Sequence, residues 1–338
     1  MSNEHNLPGM DSPRLSICMP VFNGSGFLPR IFSSLAAQTF TDYELIIIDD
    51  GSTDDSAALS ELLMTQHGIR GIVVRSSKRG AEQSRDLACE HAKADLIAQL
   101  DCDDWWQPTY LEEMVGVLQS QPDIDLVYCD LLEQFPDGRT ILKSDVATWI
   151  DLSRAERRGD LYKFPRGEFF KMLLCGQVLF PPCTVYRNAL YENAGRYAKT
   201  LSSLEVSLDW AFGLRASRIG TVAFLKRSLL HKHVHGTNVS GDVVKTVGCT
   251  VRVLDSVIAD PTLSREEART ARAYGAMISG WASYESWAVR RRHWQAMRWA
   301  FTSLRFRWTW QAARLAAFSM IPRSLVELLR PIWSVGKT

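Results

Sequence analysis

Two runs in this chain carry an apolar stretch straight into carboxylates. Leu45-Ile46-Ile47-Ile48 leads into Asp49-Asp50-Gly51-Ser52-Thr53-Asp54, and Leu96-Ile97-Ala98-Gln99-Leu100 leads into Asp101-Cys102-Asp103-Asp104. Each reads as a buried β-strand that stops on acids. That places acids at the carboxyl ends of parallel strands, the edge where open α/β sheets take their ligands. A tight turn and helix N-cap explain Gly51 to Asp54, but two adjacent acids at a strand end repel unless a donor or cation sits between them. An Asp there can accept the ring N–H of a pyrimidine base. Three carboxylates in four residues at 101–104 are costly unless a hard cation neutralises them, and an all-oxygen set suits Mg²⁺ or Mn²⁺; a solvated turn is the plainer alternative. Taken together, the two ends point to a nucleotide and metal site. There is no Walker A sequence and no GxGxxG, so ATPase and dinucleotide chemistry lose support.

The elements that must position these acids alternate strand and helix from residue 15. Strands are predicted over Leu15 to Phe22, Glu44 to Asp50, Gly71 to Arg75, Leu96 to Asp101 and Asp125 to Phe135. Between them the spacing predicts helices over Phe27 to Ala37, Asp54 to Gln66 (capped by Ser52-Thr53-Asp54), Gly80 to Ala92, and Pro108 to Gln119 with proline in its first turn. Repeated βαβ units require a parallel sheet with right-handed crossovers. Residues 136–200 are less regular and read as a substrate-facing insertion. A helix over Leu204 to Ser217 carries Asp209 and Trp210, a strand follows over Thr221 to Leu225, and His231-Lys232-His233-Val234-His235 alternates with period two. After about Gly241 the chain turns helical, with a capping box at Ser264 to Glu267, and helical spacing persists to about Leu315. The resulting division is a flexible terminus 1–13, a body 14–240 with halves 14–135 and 136–240, and a helical tail 241–338.

With 338 residues and a hydrophobic fraction of 46%, the chain can bury a sizeable core. The net charge of +1 hides a split. Residues 290–338 hold ten Lys/Arg against the single acid Glu327, which leaves 29 basic and 37 acidic residues, net −8, in 1–289. The seven cysteines are odd in number and form no CxxC pair, as expected in a reducing cytoplasm. Residues 1–13 lack the basic-then-apolar order of a signal peptide. The apolar stretch Met172 to Tyr186 is broken by Pro181-Pro182 and is shorter than the ~20 residues a bilayer span needs.

Several of these motifs occur in an order that resembles the amino half of family 2 glycosyltransferases, enzymes of the GT-A fold: Ser16-Ile17-Cys18-Met19-Pro20-Val21-Phe22-Asn23-Gly24, Ala37-Gln38-Thr39-Phe40, Glu44 to Asp54, Gly80 to Asp86, and Leu100 to Asp104. The likeness covers roughly residues 1–240. It implies a GT-A-like, Rossmann-like α/β fold, a mostly parallel sheet flanked by helices, here with a C-terminal helical extension. It also implies inverting transfer from a nucleoside diphosphate sugar, UDP-sugar first, to a carbohydrate or lipid-linked acceptor in cell-surface polysaccharide or glycolipid synthesis. By the same resemblance, Pro20, Val21, Phe22 and Asn23 border the base, Asp50 reads its N–H, Arg85 lies near the nucleotide, and Asp101 approaches the ribose. Asp103 would bind a Mg²⁺ or Mn²⁺ that bridges the diphosphate, and Asp209 would be the catalytic base. The family usually has an acid just ahead of that Asp. Leu208 stands there in this chain, and Glu205 is the substitute on the same helical face. Ser84-Arg85-Asp86 departs from the commoner Ala-Arg-Asn, which leaves the role of Asp86 open.

His231, His233 and His235 would share one strand face as in a metal cluster, but such a run is more often an accident of surface alternation, and three His would suit zinc better than a diphosphate-bound Mg²⁺. The resemblance singles out His235 as a metal or diphosphate contact and leaves His231 and His233 structural. In the tail, Trp294, Met297, Phe301, Leu304, Trp308, Ala312 and Leu315 recur at three- and four-residue steps beside Arg291, Arg298, Arg305 and Arg314. This pattern fits a helical hairpin packed on the body, and it fits equally a helix lying on an anionic membrane surface through 290–333. The expected location is cytoplasmic, peripheral to the inner face of the membrane. A nucleotidyltransferase of similar sheet should carry a basic glycine-rich loop after the first strand, and Asn23 to Pro29 has no Lys or Arg. A nucleic-acid binder is disfavoured by the acidic body, and no nucleic-acid partner is expected.

Overall fold

The computed structural model describes residues 12–197, 207–236, 242–290, 292–308, 310, 313–314 and 317. The chain divides into two compact units, Met1–Asn238 and Val239–Thr338.

In the first unit, β1 (Leu15–Val21), β2 (Tyr43–Asp49), β3 (Gly71–Arg75) and β4 (Leu96–Gln99) form a parallel block in the order β3-β2-β1-β4. β1 and β2 are buried along their whole length, as a central parallel strand covered on both faces must be. The crossovers are α1 (Leu28–Ala36), α2 (Ser56–His67) and α3 (Ala81–His91). On α1 the core is met by Leu28, Ile31, Phe32 and Leu35, a three- and four-residue spacing. After β5 (Trp105–Trp106) and α4 (Tyr110–Ser120) comes β6 (Leu126–Gln134).

Beyond β6 the sheet stops being purely parallel. β7 (Thr140–Leu142), α5 (Lys143–Val146), the antiparallel pair β8 (Glu156–Arg158) and β9 (Leu161–Lys163), and α6 (Glu168–Leu173) make up the irregular middle. The chain then re-enters the sheet after Pro181-Pro182 as β10 (Thr184–Arg187), antiparallel to both β4 and β6. α7 (Asn188–Asn193), α8 (Leu208–Ile219) and β11 (Val222–His233) complete the unit, with β11 parallel to β6.

β11 joins two segments that the sequence separates, the strand ending at Leu225 and the histidine run. Lys226, Arg227 and Ser228 are exposed and interrupt the alternation, while register shifts between Leu225 and Leu230 absorb them as an irregularity in one continuous strand. A second difference lies at α2. The N-cap of this helix is Asp55, with no side-chain cap bond; of the Ser52-Thr53-Asp54 cluster, Asp54 Oδ1 accepts from the backbone N–H of Ser56 at the first helical position, and all three residues also fasten the neighbouring loop at 23–25.

The second unit holds α9 (Val243–Ile258), α10 (Arg265–Ala288) and α11 (His293–Phe306). Asp242 caps α9 by accepting from the backbone of Val244 and Lys245, and the expected capping box of Ser264 and Glu267 opens α10. Small residues make the α10–α11 contact. Ser283 Oγ donates to Ala296 O and Ser303 Oγ to Ala276 O, each at 2.8 Å, and Phe306 lies over Gly275. Ala296, Ala300, Ser303 and Phe306 are the buried face of α11. The bulky stripe of the sequence pattern is on another face: Trp294, Phe301 and Trp308 are 80%, 50% and 62% exposed. Ala312, Leu315, Arg291 and Trp333 lie outside the described residues. Among the described residues no helix is long and apolar enough to cross a membrane.

Candidate active site

Because β1, β2 and β4 are parallel and adjacent, their carboxyl ends present three loops on one edge: 22–25, 50–56 and 100–104. The first loop is held by the second. Asn23, in the left-handed region at φ 50°, donates its N–H to Ser52 Oγ and accepts from Thr53 N at 2.8 Å, while the N–H groups of Gly24 and Ser25 donate to Ser56 Oγ and Asp54 Oδ2. A Cβ at Gly24 would lie 3.2 Å from Cys102 Sγ, so this loop also abuts the acidic run. Pro20 and Val21 are buried at the end of β1, whereas the Phe22 ring is exposed with Lys78 Nζ 4.1 Å from its centre.

Asp50 is buried, and its two oxygens accept the backbone N–H groups of Arg79 and Gly80 at 2.7 and 2.8 Å. It therefore positions the start of α3. Each carboxylate oxygen keeps a second lone pair, so a base N–H can still be accepted. Its neighbour Asp49 is buried at the end of β2. Amide donors thus relieve the adjacent-acid repulsion on the Asp50 side, while Asp49 Oδ1 is buried with no partner among the described residues.

α3 carries Arg85 into the interior, where it ion-pairs with Asp101. Its partner in sequence, Asp86, accepts from Tyr191 Oη and from Tyr197 N, and so fastens α3 to the segment around α7. Asp101, Asp103 and Asp104 bring carboxylate oxygens within 4.8 Å of one another. Burial, reinforced by Asp101, raises the Asp103 carboxyl against the pull of His235 and Lys232. Burial also pushes Asp104 well above the usual carboxylate range, although Lys232 opposes it. Asp104 Oδ1 accepts from His233 N, and Oδ2 is buried with no partner among the described residues. Crowded, desolvated, oxygen-only donors with one orphaned oxygen fit a hard divalent cation.

The second half of the unit supplies the facing groups. His235 Nε2 lies 3.0 Å from Asp103 Oδ2, and its ring stacks on Phe27 at 5.2 Å. His231 stacks on Trp105 at 5.3 Å, across which Arg30 also lies, and its two ring nitrogens meet Gln107 and Gln134. His233 stands edge-on to Phe27 and Trp105. The three histidines do share a face, and that face is packed with aromatic rings.

Asp209 sits in the first turn of α8. Its Oδ1 accepts from Trp210 N at 2.7 Å and its Oδ2 from Gln177 Nε2 at 3.2 Å. Burial raises its carboxyl while Arg85 draws it down. The same guanidinium thus acts on Asp101 and on Asp209, which the sequence holds more than a hundred residues apart. Glu205 lies outside the described residues.

Sequence reasoning missed three participants. Glu82, on the first turn of α3, has its Oε1 4.0 Å from the Arg85 guanidinium. An acid there reads as ordinary complement to a helix N-terminus, which hides it. Gln177 comes from the irregular middle, where no period marks it. Lys232 is masked by the histidines on either side, yet Asp104, Asp101 and Asp103 hold its ammonium charged against burial.

The model of Glycosyl transferase family 2 matches residues 16–188. A putative glycosyltransferase, EpsH of Bacillus subtilis, is 28% identical over 229 residues, which is 67% of this chain and 62% of that protein, so the chain spans less than two thirds of that relative. S. aureus TarS 1–349 in complex with UDP-GlcNAc superposes with a TM-score of 0.65 at 14% identity, covering 87% of this chain and 80% of that one. The mannosyltransferase PcManGT from Pyrobaculum calidifontis, in complex with GDP-Man and Mn²⁺, gives 0.55 at 13% identity over 96% and 83%. These two structures have in common with this chain its mixed sheet flanked by helices.

Proposed function

The chain belongs to glycosyltransferase family 2, and from that premise we propose that it moves a sugar from a nucleoside diphosphate sugar, UDP-sugar first, to an acceptor hydroxyl in a single inverting displacement. The observation that carries this reading is the joining of two halves. The acidic run Asp101-Asp103-Asp104 and the α8 acid Asp209 meet through Arg85 at the carboxyl edge of the sheet. Pro20, Val21, Phe22 and Asn23 border the base, and Asp50 accepts its N–H with the lone pairs left by Arg79 and Gly80. Asp101 approaches the ribose. Asp103, with Asp104 and His235 beside it, holds a Mg²⁺ or Mn²⁺. That ion, when bound, supplies charge for the departing diphosphate.

Asp209 removes the proton of the acceptor hydroxyl. The freed oxygen attacks the anomeric carbon from the face opposite the diphosphate, the bond from that carbon to the diphosphate oxygen breaks, and the anomeric centre inverts. Gln177 holds Oδ2 of the base in place, and burial raises its basicity.

The acceptor is carbohydrate or lipid-linked, and we assign its delivery to the second unit, which docks on an anionic membrane surface at the cytoplasmic leaflet. Trp281 and Tyr284 of α10 and Trp294 and Phe301 of α11 are all at least half exposed, with Arg298 exposed among them, the amphipathic character of an interfacial helix pair.

A screen of UDP-, GDP- and dTDP-sugar turnover with Mn²⁺ tests the reading on three proteins. Asp103→Ala should lose about 10² to 10³ in turnover, the scale of one preorganised electrostatic stabiliser. Asp209→Asn should lose about 10² to 10⁴ in kcat with donor Kd nearly unchanged. Undiminished turnover by Asp103→Ala in EDTA removes the metal role. Donor affinity that falls in step with turnover in Asp209→Asn makes Asp209 a binding residue and not the base.

A further inference from the structure

Arg85 is one buried cation among three acids. Asp101 pairs with it directly, Glu82 Oε1 lies 4.0 Å from Nη1, and the charges of Arg85 and Asp209 act on each other. Lys232 also acts on Asp101, whereas Glu82 and Asp209 share the Arg85 guanidinium. Its own Nε is buried and has no hydrogen-bond partner among the described residues, so one donor in this cluster is unspent. Only 13% of the Glu82 side chain is exposed, and among the described residues its one ion-pair contact is the long one to Arg85.

The cluster occupies a defined place in the reaction proposed above, on which this inference rests. A diphosphate held at Asp101-Asp103-Asp104 and an acceptor hydroxyl held at Asp209 leave the transferred sugar between them, beside the guanidinium that acts on both acids. We infer that Glu82 lines the seat of that sugar and sets its charge: the site takes neutral hexosyl or N-acetylhexosaminyl donors and discriminates against hexuronosyl donors. An ionised Glu82 accepts hydrogen bonds from ring hydroxyls. A sugar carboxylate at the same place would set a further negative charge beside the desolvated carboxylate of Glu82. The strain in that charge balance is visible in Glu82 itself: burial, with the charges of Asp209 and Asp101, pushes its carboxyl up to about 7 in spite of Arg85.

Calorimetric titration of the full chain with UDP, UDP-glucose, UDP-N-acetylglucosamine and UDP-glucuronate in Mn²⁺ at pH 8 tests this. The wild-type chain should bind UDP-glucuronate at least about tenfold more weakly than UDP-glucose, the order expected of one close like-charge contact at a partly buried site. Glu82→Gln should narrow that gap about tenfold while the Kd of UDP alone stays put, and Glu82→Asp, which keeps the charge, should preserve discrimination. A merely structural Glu82 would shift all four ligands together. Equal wild-type affinity for the two sugars, or an unchanged gap in Glu82→Gln, overturns the inference. Should Glu82→Gln lose UDP as well, the same gap is read on Glu82→Ala by the same criterion. A wild-type chain that binds none of the four, UDP included, overturns the donor reading and takes this inference with it.

Discussion

Glu82 also leaves a mark on stability. Its carboxyl keeps a proton up to about pH 7 in the folded chain, whereas an unfolded glutamate releases it near 4.3. Between those values the folded state binds the extra proton, so stability falls as pH rises from about 4 to 7 and is flat above, a loss of roughly 4 kcal/mol in all. Glutamine carries no such penalty. Urea midpoints of Glu82→Gln and wild type, in metal-free buffer, should lie close at pH 5 and separate in favour of the variant at pH 8. A separation that is the same at both values removes the buried charge from the account. The same residue shows why a site is harder to read than a fold. The acidic runs at 49–54 and 101–104 announce themselves because carboxylates interrupt apolar strands; Glu82, Gln177 and Lys232 interrupt nothing, and their meaning comes from what tertiary packing sets beside them.

At the scale of elements, the βα repeats were legible because period-two and 3.6-residue apolar patterns are local. The parallel block β3-β2-β1-β4 follows from them, with boundaries within two residues in most cases. β10 was not legible. Four residues after a double proline carry too short a pattern to declare a strand, and its antiparallel place between β4 and β6 depends on partners far away in sequence. The α10–α11 pair shows another limit. Its interface is made largely of Gly, Ala and Ser, with Phe306 over Gly275, which a search for bulky apolar stripes passes over. A Cβ at Gly275 would lie 2.7 Å from the Phe306 ring, so Gly275→Val should destabilise the second unit by about 1 to 3 kcal/mol through overpacking. Thermal melts and limited proteolysis should report the loss, with Gly275→Val/Phe306→Ala recovering part of it. Equal sensitivity of Gly275→Val and wild type would mean that the helices do not meet there.

For the whole molecule, the charge split and the exposed aromatics make one prediction. Full-length protein should sediment with vesicles containing anionic phospholipid, not with neutral ones, and release as salt is raised, because exposed charges are screened over about 8 Å at physiological ionic strength. Each Lys or Arg near such a surface contributes roughly 1 kcal/mol. The informative variant replaces Trp281, Trp294 and Trp308 with Ser, since these side chains are 53%, 80% and 62% exposed and their loss leaves the small-residue contact between α10 and α11 intact. Truncation after Ala288 is less clean, because it strips α11 from the buried serines of α10. Vesicle binding unchanged by the triple variant would dismiss the aromatic face as the docking surface.

By itself the sequence determined what local periodicity and residue chemistry encode. Alternating strands and helices specify a parallel α/β core, carboxylates closing two strands mark the candidate edge for a ligand, and the ordered motifs specify the family. The tertiary structure decided what depends on distant residues being neighbours. It made Asp50 the anchor of α3, made Asp86 a packing residue tied to Tyr191 and Tyr197, seated His231 on Trp105, and set Glu82, Arg85, Asp101 and Asp209 within one another's charge. It also turned the bulky aromatic stripe of α11 outward by filling the helix contact with small residues. The physical reason is common to all of these. Apolar periodicity reports burial on one element, but hydrogen bonds and charge interactions act across a few ångströms of space regardless of separation along the chain, and only the folded chain defines that space.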